Sequence, residues 1–402
     1  MLVMVSSGVV VTSPAALALG PAFSGLYAKA DTAETVFTNP AGMSRLEGSW
    51  KSGSIILVED LSRFEVDENR TKVDGGDPRD PQSALVPAAY YTRQLNDDWT
   101  AGVSFNVPTG FGTFSGPNWA GRYYADSFSL VYVSLAPAVS YRLTERLSVA
   151  LGAQIMYAGS EIKTRINNEP FAPGTPDGRL KADADGFGYS ASLSALYEFS
   201  ENTRVGLSIR SKTDIDMEAD LDFRNAVRPP GVIEDLQGET VDIADNVPVI
   251  VGAGLFHRFD NDWQVTLDTI WIEFSDFGVT QVHLDGVDIN TPLPDYEDFF
   301  IVNASLSWPL RPGWRAAVGA VYLEEPMEDD ARSFGIDLDE TWGLGFGVEI
   351  DRGQGRRLDI NLNILDTGDA PIDTGDSPIK GRVVGKADDH YTMALEFAYH
   401  WR

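Results

Sequence analysis

Hydrophobic and polar residues alternate along much of this chain with a period of two. In RLSVALGAQIMYAG, Leu147, Val149, Leu151, Ala153, Ile155 and Tyr157 fall on one face, and Ser148, Ala150, Gly152, Gln154 and Met156 on the other. TWGLGFGVEI sets Trp342, Leu344, Phe346, Val348 and Ile350 against three glycines and Glu349, and RLDINLNIL sets Leu358, Ile360, Leu362 and Ile364 against Asp359, Asn361 and Asn363. DWQVTLDTIW and the closing YTMALEFAYHW follow the same rule, with Asp268 and Glu396 on the polar faces. Side chains of successive residues in a β-strand point to opposite sides, so this rhythm predicts strands with one apolar and one polar face.

The connections between these segments come in two kinds. Short polar turns occur at 96–98, 144–146, 200–202, 260–262, 311–313 and 352–355, and long stretches rich in Pro, Gly and Asp lie near 65–83, 108–128, 165–180, 224–246, 284–297, 325–340 and 366–389. Short and long alternate. That scheme gives about fourteen strands, an even number, each long enough to cross a bilayer at the tilt of a barrel, with both chain ends on the short-turn side. The fold class expected is therefore all-β, a transmembrane antiparallel up-and-down barrel. A soluble sandwich also alternates, but it offers no reason for loops to alternate in length or for Trp99, Trp263, Trp314 and Trp401 to sit near the short turns, as an interfacial aromatic belt does. The apolar face then meets lipid, and Asp268, Glu349, Asp359, Asn361 and Glu396 line the interior.

Composition narrows the function. With 60 acidic against 31 basic residues the formal net charge is -29, which repels phosphate backbones and argues against a nucleic-acid partner. No cysteine is present, and no run of apolar residues approaches the length of a membrane-spanning helix. No cofactor or metal motif is found; the acidic stretch MEDDARSFGIDLDE lacks the fixed spacing of a calcium loop. Residues 1–18 read as a signal peptide ending on Ala16-Leu17-Ala18, although they lack a basic start. A barrel of about fourteen strands encloses real space. Residues 19–47, rich in small residues and without a period of two, are expected to fold into it as a plug, leaving 48–402 as the barrel.

Several segments are familiar. TNPAGMSRL at 38–46 after GPAFSG at 20–25, VPTGFGT and GRYY in the second long loop, YEFSENTRVGLSIRSK at 197–212, DTIWIEFSDF at 268–277 and EEPMEDDARSFGIDLDETW at 324–342 occur in that order. Together they resemble the FadL/TodX family of outer-membrane transporters for long-chain fatty acids and other hydrophobic compounds. The resemblance implies a fourteen-stranded barrel with an N-terminal hatch. It also implies passive uptake of a hydrophobic small molecule, caught by extracellular loops, passed to an inner pocket and released sideways into outer-membrane lipid. Both termini are expected in the periplasm, and the protein is expected to be a monomer with no enzymatic activity.

On that resemblance Asn39, Pro40 and Ala41 match the hatch motif and are assigned a gating role, with Pro40 fixing a turn against the wall gap. Phe23, Leu26 and Phe37 are candidates for the inner pocket. Phe111, Phe114 and Trp119, aromatics in a loop expected to be polar, and Phe171 in the next loop are candidates for the capture groove. Lys163 and Arg165 lie where the family supplies a cation for a carboxylate, and Arg122 is the other option. Two departures stand out. Glu297 and Asp298 occupy a place where a fatty-acid binder would carry a cation, which leaves neutral hydrocarbons, aromatics and sterol-like compounds open. Arg402 follows the terminal aromatic Trp401 that the barrel assembly machinery is expected to read. Two rivals remain: a membrane-embedded hydrolase built on His400 and Glu396, for which no serine stands at a recognisable spacing, and a general porin, which would lack the plug.

Overall fold

The computed structural model describes residues 24–78, 82–227, 240–284, 287–290, 295–329, 331–388 and 390–402. The expected signal peptide, the first residues of the plug and Phe23 lie outside the described residues.

Fourteen antiparallel strands close on themselves: β1 (Ser49–Asp60), β2 (Gln82–Gln94), β3 (Trp99–Phe114), β4 (Ser127–Arg142), β5 (Leu147–Ile166), β6 (Gly178–Ser200), β7 (Thr203–Arg210 and Thr213–Arg224), β8 (Thr240–Val247 and Ile250–Arg258), β9 (Gln264–Ile272 and Gly278–Leu284), β10 (Phe299–Arg311), β11 (Trp314–Leu323), β12 (Thr341–Gly353), β13 (Arg356–Asp366) and β14 (Tyr391–Trp401). Closure is made by β1 against β14, from Lys51↔Trp401 to Asp60↔Thr392. All six turns expected to be short join strands at one end, and the seven long loops join them at the other.

The alternation read from the sequence is the inside and outside of this wall. Along β5 the side chains of Leu151, Ile155 and Tyr157 are exposed while Ser148, Gln154 and Met156 are buried. Leu151, Tyr189 and Leu193 expose 68%, 70% and 57% of their surface. A continuous apolar band of that kind is stable only against hydrocarbon. Aromatic pairs edge it on both sides: Trp99–Tyr141 (4.7 Å) and Trp263–Trp308 (5.9 Å) at the short-turn end, Tyr157–Phe187 (5.2 Å) and Tyr322–Trp342 (4.3 Å) toward the long loops. This is the girdle geometry of a barrel in a membrane.

Two irregularities interrupt the wall. First, β2 pairs with β3 only from Ala89↔Phe105 to Gln94↔Thr100, and beyond that rung β3 bulges between Asn106 and Thr109 and follows β4 alone. Residues 82–88 keep their partners on β1. Pro87 and Pro108 face this unpaired stretch without the N–H donors a ladder would need. Second, β7, β8 and β9 all break on one level, since Arg210 pairs with Ile250, Ile250 with Ile272, and Ile272 with Phe299. After Ile272 a single 3-10 turn, Phe274–Asp276, carries Phe274 and Phe277 into the interior. Outside the barrel, strands Arg63–Val66, Ile372–Asp373 and Val384–Asp388 join the first and last long loops in a small sheet.

Candidate functional site

Residues 24–47 fill the short-turn half of the lumen, and inward polar side chains of the wall hold them. The Asp268 carboxylate accepts the backbone N–H groups of Gly25, Leu26 and Tyr27. Arg204 donates to the carbonyls of Ala28 and Lys29, Lys29 pairs with Glu349 at 2.7 Å, and Arg357 reaches Asp31 at 3.1 Å. The path then turns through a short helix α1 (Thr35–Thr38) into the 3-10 segment Pro40–Arg45.

Asn39 is fully buried at that turn. Its amide donates to the carbonyls of Tyr27 (2.6 Å) and Ala195 (3.2 Å), and its oxygen accepts the N–H of Ala41, which also bonds Ser194 Oγ at 3.0 Å. Ser44 meets Ser148 at 2.6 Å and Arg45 pairs with Glu198. The Asn39-Pro40-Ala41 motif therefore lies against β4 to β6 and not against the unpaired stretch between β2 and β3. At the stretch itself the segment presents Leu26, Tyr27, Phe37 and Thr38. Wall glycines make this fit: a Cβ on Gly206 would lie 1.7 Å from the Tyr27 carbonyl oxygen, and one on Gly252 1.9 Å from its ring.

Above the segment the lumen is a chain of connected cavities. The outer one is lined by Tyr124, Phe128, Met217, Tyr296 and Phe334 among others. It meets, at Phe277, a narrower middle cavity whose walls are Phe111, Met156, Ile272, Phe274, Phe299 and Leu338. Phe274 stacks on Phe277 at 4.9 Å and on Tyr296 at 5.1 Å. Pro108, Arg210 and Ile250 are shared with a third cavity, which reaches Val86, Ala88 and Val107 at the unpaired stretch of wall. A fourth continues toward the short turns past Lys29, Asp31, Glu34, Arg357, Asp359 and Glu396. The first three are chiefly apolar; the last is lined with charge.

Long loops cover the outer end. Phe334 sits 4.7 Å from Trp119 and 5.5 Å from Phe64, with Tyr124 at 6.1 Å, so three loops meet on one ring. Arg332 braces that loop through Glu325, Asp329 and, at 3.2 Å, Asp339, which accounts for the acidic stretch around it. Arg122 is enclosed by Asp74 (2.9 Å) and Asp177 (3.1 Å), and its guanidinium holds the Asp74 carboxyl below the usual carboxylate range. In the outer sheet Arg382 holds Asp373 down to about 2.

The sequence candidates divide accordingly. Leu26 and Phe37 line the cavity at the unpaired wall and Phe111 the middle one, while Trp119 packs inside the loop cluster. Phe114 and Phe171 line none of these cavities, and Phe171 is exposed on its loop. Lys163 and Arg165 belong to the outward row of β5, with Leu151 and Tyr157, and pair with Glu161 and Asp126. They do not supply a lumenal cation, because two residues per rung carry every odd position of that strand outward. Asp298 takes the N–H and, at 2.7 Å, the hydroxyl of Ser275, and so fixes the turn that bears Phe274 and Phe277.

Reading the sequence missed Tyr27, Arg210, Phe274, Phe277 and Phe299. The only hint was IEFSDFGV, where Phe274 and Phe277 stand three apart and break the period of two. It also missed a Ser52, His400 and Asp359 constellation, with Ser52 Oγ 2.8 Å from His400 Nδ1 and Asp359 Oδ2 3.1 Å from Nε2. Ser52 is buried, Asp359 lines the fourth cavity, and these contacts tie β1, β14 and β13 together at the closure seam.

The model of the family described as "Outer membrane protein transport protein (OMPP1/FadL/TodX)" matches residues 3–401. The chain is 24% identical over 356 residues to a long-chain fatty acid transport protein of Escherichia coli O6:H1, covering 81% of this chain and 79% of that one. In three dimensions it resembles a Pseudomonas aeruginosa FadL homologue with a TM-score of 0.80, at 16% identity and covering 98% and 99% of the two chains. It also resembles the Pseudomonas putida toluene transporter TodX, with a TM-score of 0.64, at 16% identity and covering 92% and 94%. A lumen holding an inner segment, apolar cavities above it and a membrane-facing wall all accord with this match across nearly the whole sequence, and the chain belongs to the OMPP1/FadL/TodX family of outer-membrane transport proteins.

Proposed function

We propose that the protein takes up hydrophobic compounds across the outer membrane, without an energy source, and delivers them sideways into the bilayer. The long loops face outward and both termini face the periplasm, and a single barrel suffices. A ligand enters the outer cavity between the loops carrying Phe64, Trp119 and Phe334, moves into the aromatic middle cavity, and leaves through the unpaired stretch between β2 and β3. Residues 24–47 act as the hatch, with Asn39, Pro40 and Ala41 as its fixed point and Leu26 and Phe37 as its face toward the exit.

The observation that carries this reading is the branching below the middle cavity. One branch is apolar and ends at a wall whose strands are not bonded to each other; the other is lined by Lys29, Asp31, Glu34 and Arg357. A chain of fourteen methylenes would lose about 10 kcal/mol of apolar burial by taking a hydrated route, whereas passage into lipid keeps it out of water. Long-chain fatty acids are the first ligands to test, as in the Escherichia coli relative. The Phe-lined middle cavity also suits the aromatic hydrocarbons named for the Pseudomonas putida neighbour. Native mass spectrometry of protein extracted from outer membranes in mild detergent tests both: a retained fatty acid or hydrocarbon is expected, and a barrel that stays empty after incubation with either class contradicts the proposal.

A further inference from the structure

The inner face of the wall above residues 24–47 is largely apolar. On β8 the inward positions run Ile243, Asp245, Val247, so a carboxylate stands where hydrocarbon is expected. Asp245 is only 2% exposed and lines the outer cavity with Leu130, Ala184, Met217, Phe277 and Tyr296, while Val247, two residues on, already lines the middle one. It therefore stands at the throat between the two. Among the described residues it makes no ion pair. The other charged side chains lining these two cavities are engaged: Arg332 by three carboxylates, Asp373 by Arg70 and Arg382, and Arg210 by a 2.9 Å hydrogen bond to the Phe37 carbonyl. Asp245 instead accepts the hydroxyl of Tyr132 at 2.6 Å. That bond runs from β4 to β8, and the inward residues on the rung of Tyr132, Ala158 and Gly186, are small enough to leave room for it.

A buried carboxylate without a cation is costly, and in a ligand passage it marks a group that has something to receive. Its two oxygens offer about four acceptor positions, of which the Tyr132 hydroxyl and the Asn246 backbone N–H take two. A hydrocarbon brings nothing to the rest, an ether or ester brings only acceptors, and a carboxylate ion brings like charge. An O–H donor is the complement. Tyr132 shows which kind, since its own phenol already makes this bond, and the rings of Phe277 and Tyr296, both stacked on Phe274, stand in the same cavity beside the carboxylate. Resting on the uptake reading above, we propose that Asp245 is a specificity-determining residue at the throat and that it selects hydrophobic phenols, the ligand O–H donating to the carboxylate while its ring lies against Phe277 and Tyr296. Tyr132 positions the carboxylate from the other side. A fatty acid meets the same oxygens only in its protonated form.

The test uses the full chain in non-ionic detergent with p-cresol, its methyl ether and p-xylene as probes, each affinity referred to the same micelles without protein. The cresol and its ether share ring and oxygen and differ in the donor, so a contact from the Arg210 guanidinium to the oxygen serves both alike. Wild type is expected to bind the cresol at least about tenfold more tightly than the ether, as one hydrogen bond to a charged acceptor requires, and to hold p-xylene no better than the ether. Asp245→Leu is expected to bring cresol and ether to one affinity, and Asp245→Asn, which keeps an acceptor but loses the charge, to fall between. Tyr132→Phe frees an acceptor position and is expected to keep the preference. Should Asp245→Leu fail to give the heat-modifiable band of a closed barrel, the wild-type ratio and Asp245→Asn decide. Equal affinity of wild type for cresol and ether, an unchanged preference in Asp245→Leu, or the same loss for every probe in Asp245→Leu and Tyr132→Phe overturns the assignment and leaves uptake standing. A wild-type barrel that stays empty with all three probes and with palmitate overturns both.

Discussion

At the scale of single residues, the segment 24–47 that we propose as the hatch is held by buried hydrogen bonds whose loss is not compensated by water. Asn39→Ala leaves the Tyr27 and Ala195 carbonyls without their donor, at a local cost of about 1–3 kcal/mol. The barrel should still close, but planar-bilayer recordings should show brief openings absent from wild type. Gly252→Val acts by volume, since a Cβ there meets the Tyr27 ring. The expected outcome is protease cleavage within residues 24–47 with an intact barrel; a protected segment would mean that the wall yields instead. The sequence made some of these residues legible and hid others for a physical reason. Asn39 stood in a recognisable motif, and Leu26 and Phe37 were apolar residues in a segment that had to be enclosed. Arg210 and Asp268 are ordinary inward positions of alternating strands, and their importance arises only from what the hatch places opposite them. Lys163 and Arg165 were misassigned because their charge drew attention ahead of their parity.

At the scale of elements, strand period and turn length carried nearly all the topology, because a wall with lipid on one side and polar contents on the other forces strict alternation. What the period could not reveal was where pairing stops. A bulge of two residues at Val107 and Pro108 changes no hydropathy pattern, yet it separates β3 from β2. The breaks after Arg210, Val247 and Ile272 were likewise invisible one strand at a time, since their meaning is that they share a level. The loop sheet offers a pH test. Arg382 depresses Asp373 to about 2, below the ordinary value of 3.8, so this pair contributes stability above about pH 4 that is lost as pH falls toward 2. Hydrogen exchange in residues 372–388 should accelerate over that window and not over a rise from neutral pH, and Asp373→Asn should remove the dependence. Wild type with flat exchange would exclude the pair as a brace.

At the scale of the whole molecule, the uptake proposed above makes the membrane-facing band, the segment 24–47 and the stacked cavities one device for keeping an apolar compound out of water from loop to lipid. Deleting residues 24–47 should raise single-channel current markedly, because the charged fourth cavity would then join an open lumen; unchanged current would show that the segment does not block the barrel. The measurement that bears most directly on the account is uptake of radiolabelled palmitate by cells carrying wild type or Ala88→Trp, in which the bulky ring fills the cavity at the unpaired wall. Uptake by the variant should fall to that of cells lacking the protein while its surface level and heat-modifiable mobility stay those of wild type. Uptake by a well-folded Ala88→Trp at the wild-type rate would contradict passage between β2 and β3.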